Sequence, residues 1–183
     1  MTAITPLIPR QPVPDISVTT TAGEDWTLST QTPDNFTMLV VYRGLHCPIC
    51  RTYLSELQRH LDEFSGHGVN VLVVSTDEED RVHQAQKDWK LDKLTMAHGF
   101  SLDDARSLGL YISSSNGVTS TGVEEPALFG EPGLFLIRPD GTLYFGTVQT
   151  MPFARPHFSD IAKAVGFVIS KDYPARGEIV DHN

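Results

Sequence analysis

Apolar and polar positions follow two different periods along this chain, and the switches between them mark its elements. Residues 36–42 (Phe-Thr-Met-Leu-Val-Val-Tyr) form a short apolar run bounded by Pro33-Asp34-Asn35 and Gly44, the pattern of a buried strand. Beyond it the period changes. Leu54, Leu57, Leu61 and Phe64 recur three and four apart, with Glu56, Gln58, Arg59, Asp62 and Glu63 between them. That spacing predicts one amphipathic helix, ended by Gly66-His67-Gly68. Residues 69–75 (Val-Asn-Val-Leu-Val-Val-Ser) are nearly all apolar, as a parallel strand covered on both faces requires. A helix is expected over 77–90, with Asp77-Glu78-Glu79-Asp80 as a solvated first turn and Trp89 as a packing residue. Another is expected over 102–110, stopped at Gly109, and a last one over 158–170, with Ile161, Ala164, Val165, Val168 and Ile169 on its apolar face.

Hairpins are expected near both ends. Residues 15–21 and Trp26-Thr27-Leu28 flank the turn Ala22-Gly23-Glu24-Asp25, and 133–137 and 142–148 flank Pro139-Asp140-Gly141. Residues 94–97 are a short apolar stretch. Residues 111–130, rich in Ser, Thr and Gly, show no period at all; a segment this long reads as an active-site lid or a surface insertion. The sum is an α/β protein with a central mixed β-sheet flanked by helices. One domain is expected over 1–183, with the proline-rich lead-in 1–10 and the polar tail 173–183 peripheral.

Composition narrows the function classes. Hydrophobic residues at 40% and charged residues at 20% describe an ordinary globular domain. A net charge of −9 argues against nucleic acid and anionic membrane surfaces as partners. No run approaches the roughly 18 apolar residues of a spanning helix. The first 14 residues hold Arg10 as their single cation and too many prolines for a signal helix, so the cytoplasm is the expected location.

The chemistry lies in Cys47-Pro48-Ile49-Cys50, which holds the chain's only two cysteines. They fall where the strand of 36–42 gives way to the helix, with Cys47 at the helix start and Cys50 one turn in. A thiol reacts as its thiolate, which a helix N-terminus and nearby cations favour; Arg43, His46 and Arg51 are the cations at hand. Spacing of three on a helix brings both sulfurs to one face, where they can close a small disulfide. So short a loop adds little stability, so the pair is suited to reacting rather than stapling. Half of a metal site is the other use of such a pair, but no second pair exists and the seven histidines show no ligand spacing. No metal or cofactor is expected.

This order of strand, Cys-x-x-Cys, helix, strand, helix, hairpin and helix resembles the thioredoxin-like fold. Pro12-Val13-Pro14-Asp15-Ile16, Val73-Val74-Ser75-Thr76-Asp77 and Phe135-Leu136-Ile137-Arg138-Pro139-Asp140-Gly141 are similar to the peroxiredoxin-like alkyl hydroperoxide reductase / thiol-specific antioxidant family over roughly 11–172. That family's Pro-x-x-x-Thr/Ser-x-x-Cys motif falls on Arg43, Cys47 and Cys50, so two of its three positions differ here. The family's arginine ahead of the late hairpin is also missing, since that region reads Phe129-Gly130-Glu131-Pro132-Gly133. Glu131-Pro132 is instead similar to the cis-proline of thioredoxins.

Two chemistries follow from the resemblance. In a thiol peroxidase with antioxidant activity, Cys50 attacks peroxide, Cys47 resolves the sulfenic acid, and Arg43, Arg51 or Arg155 replaces the missing arginine. In a thiol–disulfide oxidoreductase, Cys47 attacks a protein disulfide, Cys50 resolves, and Pro132 orients the partner. A redox sensor or metal-binding module without fast turnover is a third reading. The resemblance implies a thiol reductant such as thioredoxin or glutathione, and a homodimer. His46 is a helper for Cys47 or a plain loop residue. Residues 151–158 are either a proline-rich lead-in to the last helix or a loop that delivers Arg155.

Overall fold

The computed structural model describes residues 4–181; the first three residues, His182 and Asn183 lie outside them. The elements are β1 (Ser17–Thr20), β2 (Asp25–Thr27), a 3-10 turn (Leu28–Thr30), β3 (Phe36–Val41), α1 (Pro48–Arg59) and α2 (Leu61–Gly66). β4 (Val69–Val74), α3 (Glu79–Asp88), β5 (Met96–His98) and α4 (Leu102–Ser107) follow. The chain ends with β6 (Ile112–Ser114), β7 (Leu128–Gly130), β8 (Gly133–Ile137), β9 (Leu143–Val148) and α5 (Phe158–Lys171).

Seven strands form one mixed sheet in the order β2-β1-β5-β4-β3-β8-β9. β3 is parallel to β4 and antiparallel to β8, and every residue in it is buried. Its alternation sorts the core into two layers. Phe36, Met38, Val40 and Tyr42 pack with Leu54, Leu57, Phe64, Val82, Phe158, Ile161 and Val165 from the helices on one face. Leu39 and Val41 pack with Ile16, Val18, Phe100, Ala105, Leu108, Phe135 and Ile137 on the other. Leu54 and Leu57 of α1 are wholly buried, each worth roughly 1.5–3 kcal/mol relative to exposure.

Four expectations are corrected. The single helix over the Leu54 to Phe64 stripe is two, because the His60 N–H closes on Leu57 O three residues back rather than continuing the four-residue pattern. The apolar stretch at 94–97 contributes β5, which pairs with β4 and β1. Residues 111–130 are a long hairpin: Ile112 pairs with Gly130 and Ser114 with Leu128, and the Val118–Glu124 bridge extends it. Strands of three residues bracketed by Ser and Gly carry no readable period. Thr142 belongs to the turn before β9, where Asp140 Oδ1 accepts from its N–H at 3.0 Å and its hydroxyl at 2.7 Å.

Lead-in and tail are tied to each other. Arg10 donates to Ala175 O through Nε at 3.0 Å and Nη2 at 2.7 Å, pairs with Glu178 at 3.2 Å, and Ala175 is buried.

Candidate active site

The site starts where β3 runs out. Gly44 has φ +135°, and a Cβ there would sit 2.7 Å from Asp77 Oδ2. Glycine is therefore required at this close approach. It lets the Leu45 N–H donate to Asp77 Oδ2 at 2.7 Å, while Arg81 Nε donates to Oδ1 at 2.9 Å. Two charge-assisted bonds offset the cost of burying that carboxylate. Asp77 is thus an anchor for the cysteine loop rather than part of a solvated helix turn.

The loop ends at Cys47, the N-cap of α1, and Pro48 follows in the first turn where its missing N–H costs nothing. The Cys50 N–H donates to Cys47 Sγ at 3.2 Å. The two cysteines form a disulfide with Cα atoms 5.3 Å apart. Both are buried, at 1% and 0% exposure, although Ile49 between them is 44% exposed.

Cys50 faces a cation. Arg155 Nη1 lies 3.7 Å from Cys50 Sγ, and its guanidinium carbon sits 4.0 Å over the centre of the Tyr53 ring. Its Nη2 is buried without a protein partner. The preceding residue, Ala154, has φ 58°, an uncommon conformation that turns the loop back toward α1. Two bonds from α1 hold the segment: the Tyr53 hydroxyl donates to Pro156 O at 2.9 Å, and Glu56 Oε1 accepts from the Phe158 N–H at 3.1 Å. Burial lowers the Arg155 pKa to about 10, which leaves it charged at neutral pH. A depression of about 240 Å³ opens beside it, lined by Ile49, Thr52, Tyr53, Phe153 and Arg155.

The neighbourhood of Cys47 differs. His46 is wholly buried, its ring 4.6 Å from that of Phe129 and its Nε2 4.0 Å from Glu125 Oε1. Burial lowers its pKa to about 4, outweighing the opposing pull of Asp77, so His46 is neutral and supplies no cation to the thiolate. Arg43 is committed elsewhere. It pairs with Glu131 at 3.2 Å and with Glu125 at 3.9 Å, and lies 4.7 Å over the Phe129 ring. Ser113 donates to Glu131 Oε1 at 2.5 Å. The hairpin of 111–130 thus brings Ser113, Glu125 and Phe129 into the wall beside His46.

Of the residues singled out in sequence, Cys50 meets both Cys47 and Arg155, His46 directly precedes Cys47, and Arg43 lies over the Phe129 ring that His46 packs against. Arg51 is exposed on α1. No peptide bond among the described residues is cis, so Glu131–Pro132 is trans, contrary to its likeness to the thioredoxin proline. Pro132 O already accepts the Gln149 N–H at 3.0 Å, which commits it to the sheet. Sequence reading missed Tyr53, Asp77 and Glu125. Glu131 did carry a signal, as a lone acid between Leu128-Phe129-Gly130 and Pro132-Gly133-Leu134.

Comparison with known proteins shows the family and the fold. The AhpC/TSA family model matches residues 9–145, about three quarters of the chain. The chain belongs to the AhpC/TSA family. It is accordingly a peroxiredoxin-like oxidoreductase with the thioredoxin fold. Similar solved structures include the peroxidoxin BcpB of Mycobacterium tuberculosis, with TM-score 0.68, 16% identity, and coverage of 88% of this chain and 98% of that one. A peroxiredoxin-like protein from Aquifex aeolicus has TM-score 0.69, 17% identity and 90% coverage of each chain. AhpC of Mycobacterium tuberculosis has TM-score 0.69, 14% identity, and coverage of 92% of this chain and 96% of that one. No curated relative matches the chain by sequence. No described helix is long and apolar enough to cross a membrane.

Proposed function

We propose that this protein reduces peroxides through Cys50, with Cys47 as the resolving thiol. The observation that carries the assignment is Arg155, whose Nη1 faces Cys50 Sγ at 3.7 Å while Nη2 has no protein partner. The guanidinium favours the thiolate of Cys50 and keeps a donor free for a peroxide oxygen.

The electron balance is closed by the two thiols and an external reductant. A Cys50 sulfur lone pair forms the S–O bond as the O–O bond breaks. Cys50 becomes sulfenic acid, and the departing alkoxide takes a proton to leave as alcohol, or as water from hydrogen peroxide. Cys47 then attacks the Cys50 sulfur and expels water, giving the disulfide. Two electrons from a thiol reductant, of the thioredoxin or glutathione kind, reopen it, the burial of both sulfurs favouring the smaller glutathione-type thiol. The reductant attacks Cys47 and releases Cys50 as thiolate opposite Arg155, since the better stabilised thiolate leaves faster.

Burial supports a small oxidant. Both cysteines lie at or below 1% exposure, which admits a peroxide more readily than a protein disulfide. The trans Glu131–Pro132 bond and the occupied Pro132 carbonyl weigh against Pro132 as a docking element for a protein disulfide, one of the two features that favoured disulfide exchange.

Single-turnover oxidation of the fully reduced protein tests the assignment. With hydrogen peroxide, Cys47→Ser is expected to retain the fast phase and stop at sulfenic acid, and Cys50→Ser to lose it. A fast phase lost in Cys47→Ser but kept in Cys50→Ser would reverse the roles. Slow peroxide reaction in all three forms, with rapid exchange on a disulfide substrate, would sink the peroxidase reading.

A further inference from the structure

Away from the cysteines, the fold assembles a second constellation. Glu79 and His83 stand four apart on α3, one helical turn, and so share a face. His98 ends β5, whose backbone is fixed by pairing with Thr19 of β1. Nε2 of His83 and Nε2 of His98 each lie 3.8 Å from the same oxygen, Oε1 of Glu79. The two imidazole rings are 6.1 Å apart, and one donor atom of each of the three residues lies within 4.8 Å of the others.

These separations suit a metal ion. Zinc bonds of about 2.0–2.1 Å to nitrogen and oxygen in a tetrahedral shell place donors about 3.4 Å apart. The two Glu79–histidine spacings of 3.8 Å exceed that by about 0.4 Å, and the widest donor separation, within 4.8 Å, by up to about 1.4 Å. Side-chain rotation covers the difference, because Glu79 and His83 are 65% and 45% exposed, whereas His98, at 17%, supplies the fixed point. Two imidazoles and a carboxylate fit zinc and its first-row neighbours, whereas calcium and magnesium demand all-oxygen shells.

We propose that Glu79, His83 and His98 form a binding site for a zinc-class divalent ion that pins α3 to β5 independently of the redox cysteines. Three protein donors leave a coordination position to water. Binding to the folded chain alone then raises its stability by mass action.

The experiment uses the oxidised protein, whose disulfide denies both thiolates to the metal. Zinc chloride is titrated by equilibrium dialysis, and cobalt(II) chloride by absorption spectroscopy. One equivalent is expected to bind saturably, the cobalt complex to lack thiolate charge-transfer absorption, and the thermal midpoint to rise with zinc. His83→Ala and His98→Ala should each weaken binding at least about tenfold and abolish the thermal shift. Glu79→Gln, which keeps the side chain's shape, should weaken it too, whereas His60→Ala, at a separate pair with Glu63, should not. Absence of saturable binding up to millimolar zinc, or binding that survives the His83→Ala/His98→Ala double substitution, would overturn the proposal.

Discussion

Cys47 and Cys50 sit three residues apart on one helix end, yet their surroundings differ in kind. Cys50 meets a permanent cation backed by an aromatic ring, delivered by the segment between β9 and α5. Cys47 meets the N–H of its own helix, and its neighbour His46 is a neutral histidine beside Phe129, with Arg43 already paired to acids. A short Cys-x-x-Cys is nearly symmetric in sequence. What breaks the symmetry is which distant segment packs on which side, and that divides attack from resolution.

The comparison can be broken most completely at the sulfur itself, where Cys50→Ser is expected to abolish the fast peroxide phase. Next comes the acid side. Glu131→Ala takes from the largely buried Arg43 its nearer partner, leaving Glu125 at 3.9 Å, and is expected to cost about 1–3 kcal/mol, read by chemical denaturation. Its effect on the peroxide rate of the folded fraction should be smaller than that of Arg155→Ala, or the two sides are not functionally distinct. Arg155→Ala is expected to slow single-turnover oxidation about a hundredfold, roughly 2.7 kcal/mol, with partial recovery in Arg155→Lys. An unchanged rate in Arg155→Ala would remove the asymmetry on which the assignment of Cys50 rests.

Acid should expose the His46 side selectively. Its folded pKa of about 4 lies below the ordinary 6.5, so the unfolded chain binds the extra proton between those values. Stability from this group is therefore complete above pH 6.5 and is lost as pH falls toward 4, by about 1.4 kcal/mol per unit. Denaturation series from pH 7 to 4 should show that slope in the wild type and a shallower one in His46→Phe. The smallest effect belongs to Arg51→Ala: exposed on α1, it should leave stability within about 0.5 kcal/mol and the peroxide rate unchanged.

Much of the frame was legible because β3, β4 and α1 carry dense local signals. Phe36 to Val41 is apolar without interruption, and the Leu54 and Leu57 spacing shows its helical period within one window. The N-cap position of Cys47 followed from the same junction. Asp77 was misread because a carboxylate at a helix start looks alike whether water or a backbone N–H from residue 45 answers it. The β6–β7 hairpin was unreadable since its pairing spans a loop from 115 to 127 that no local period records. His83 and His98 showed no ligand spacing for the same reason, being joined only by the packing of α3 against β5.

What the sequence by itself determined is the order of the main elements, the apolar strands of the central sheet, and the placing of two thiols at the start of a helix. Each of these follows from interactions among residues a few positions apart, or from the periods of two and 3.6 that burial imposes. Only the tertiary structure decided that Arg155, rather than Arg43 or Arg51, faces the sulfur of Cys50. Cations of equal charge differ in function by where the chain's long-range packing sets them. Electrostatic stabilisation of a thiolate falls off with distance, and that distance is a property of the folded chain.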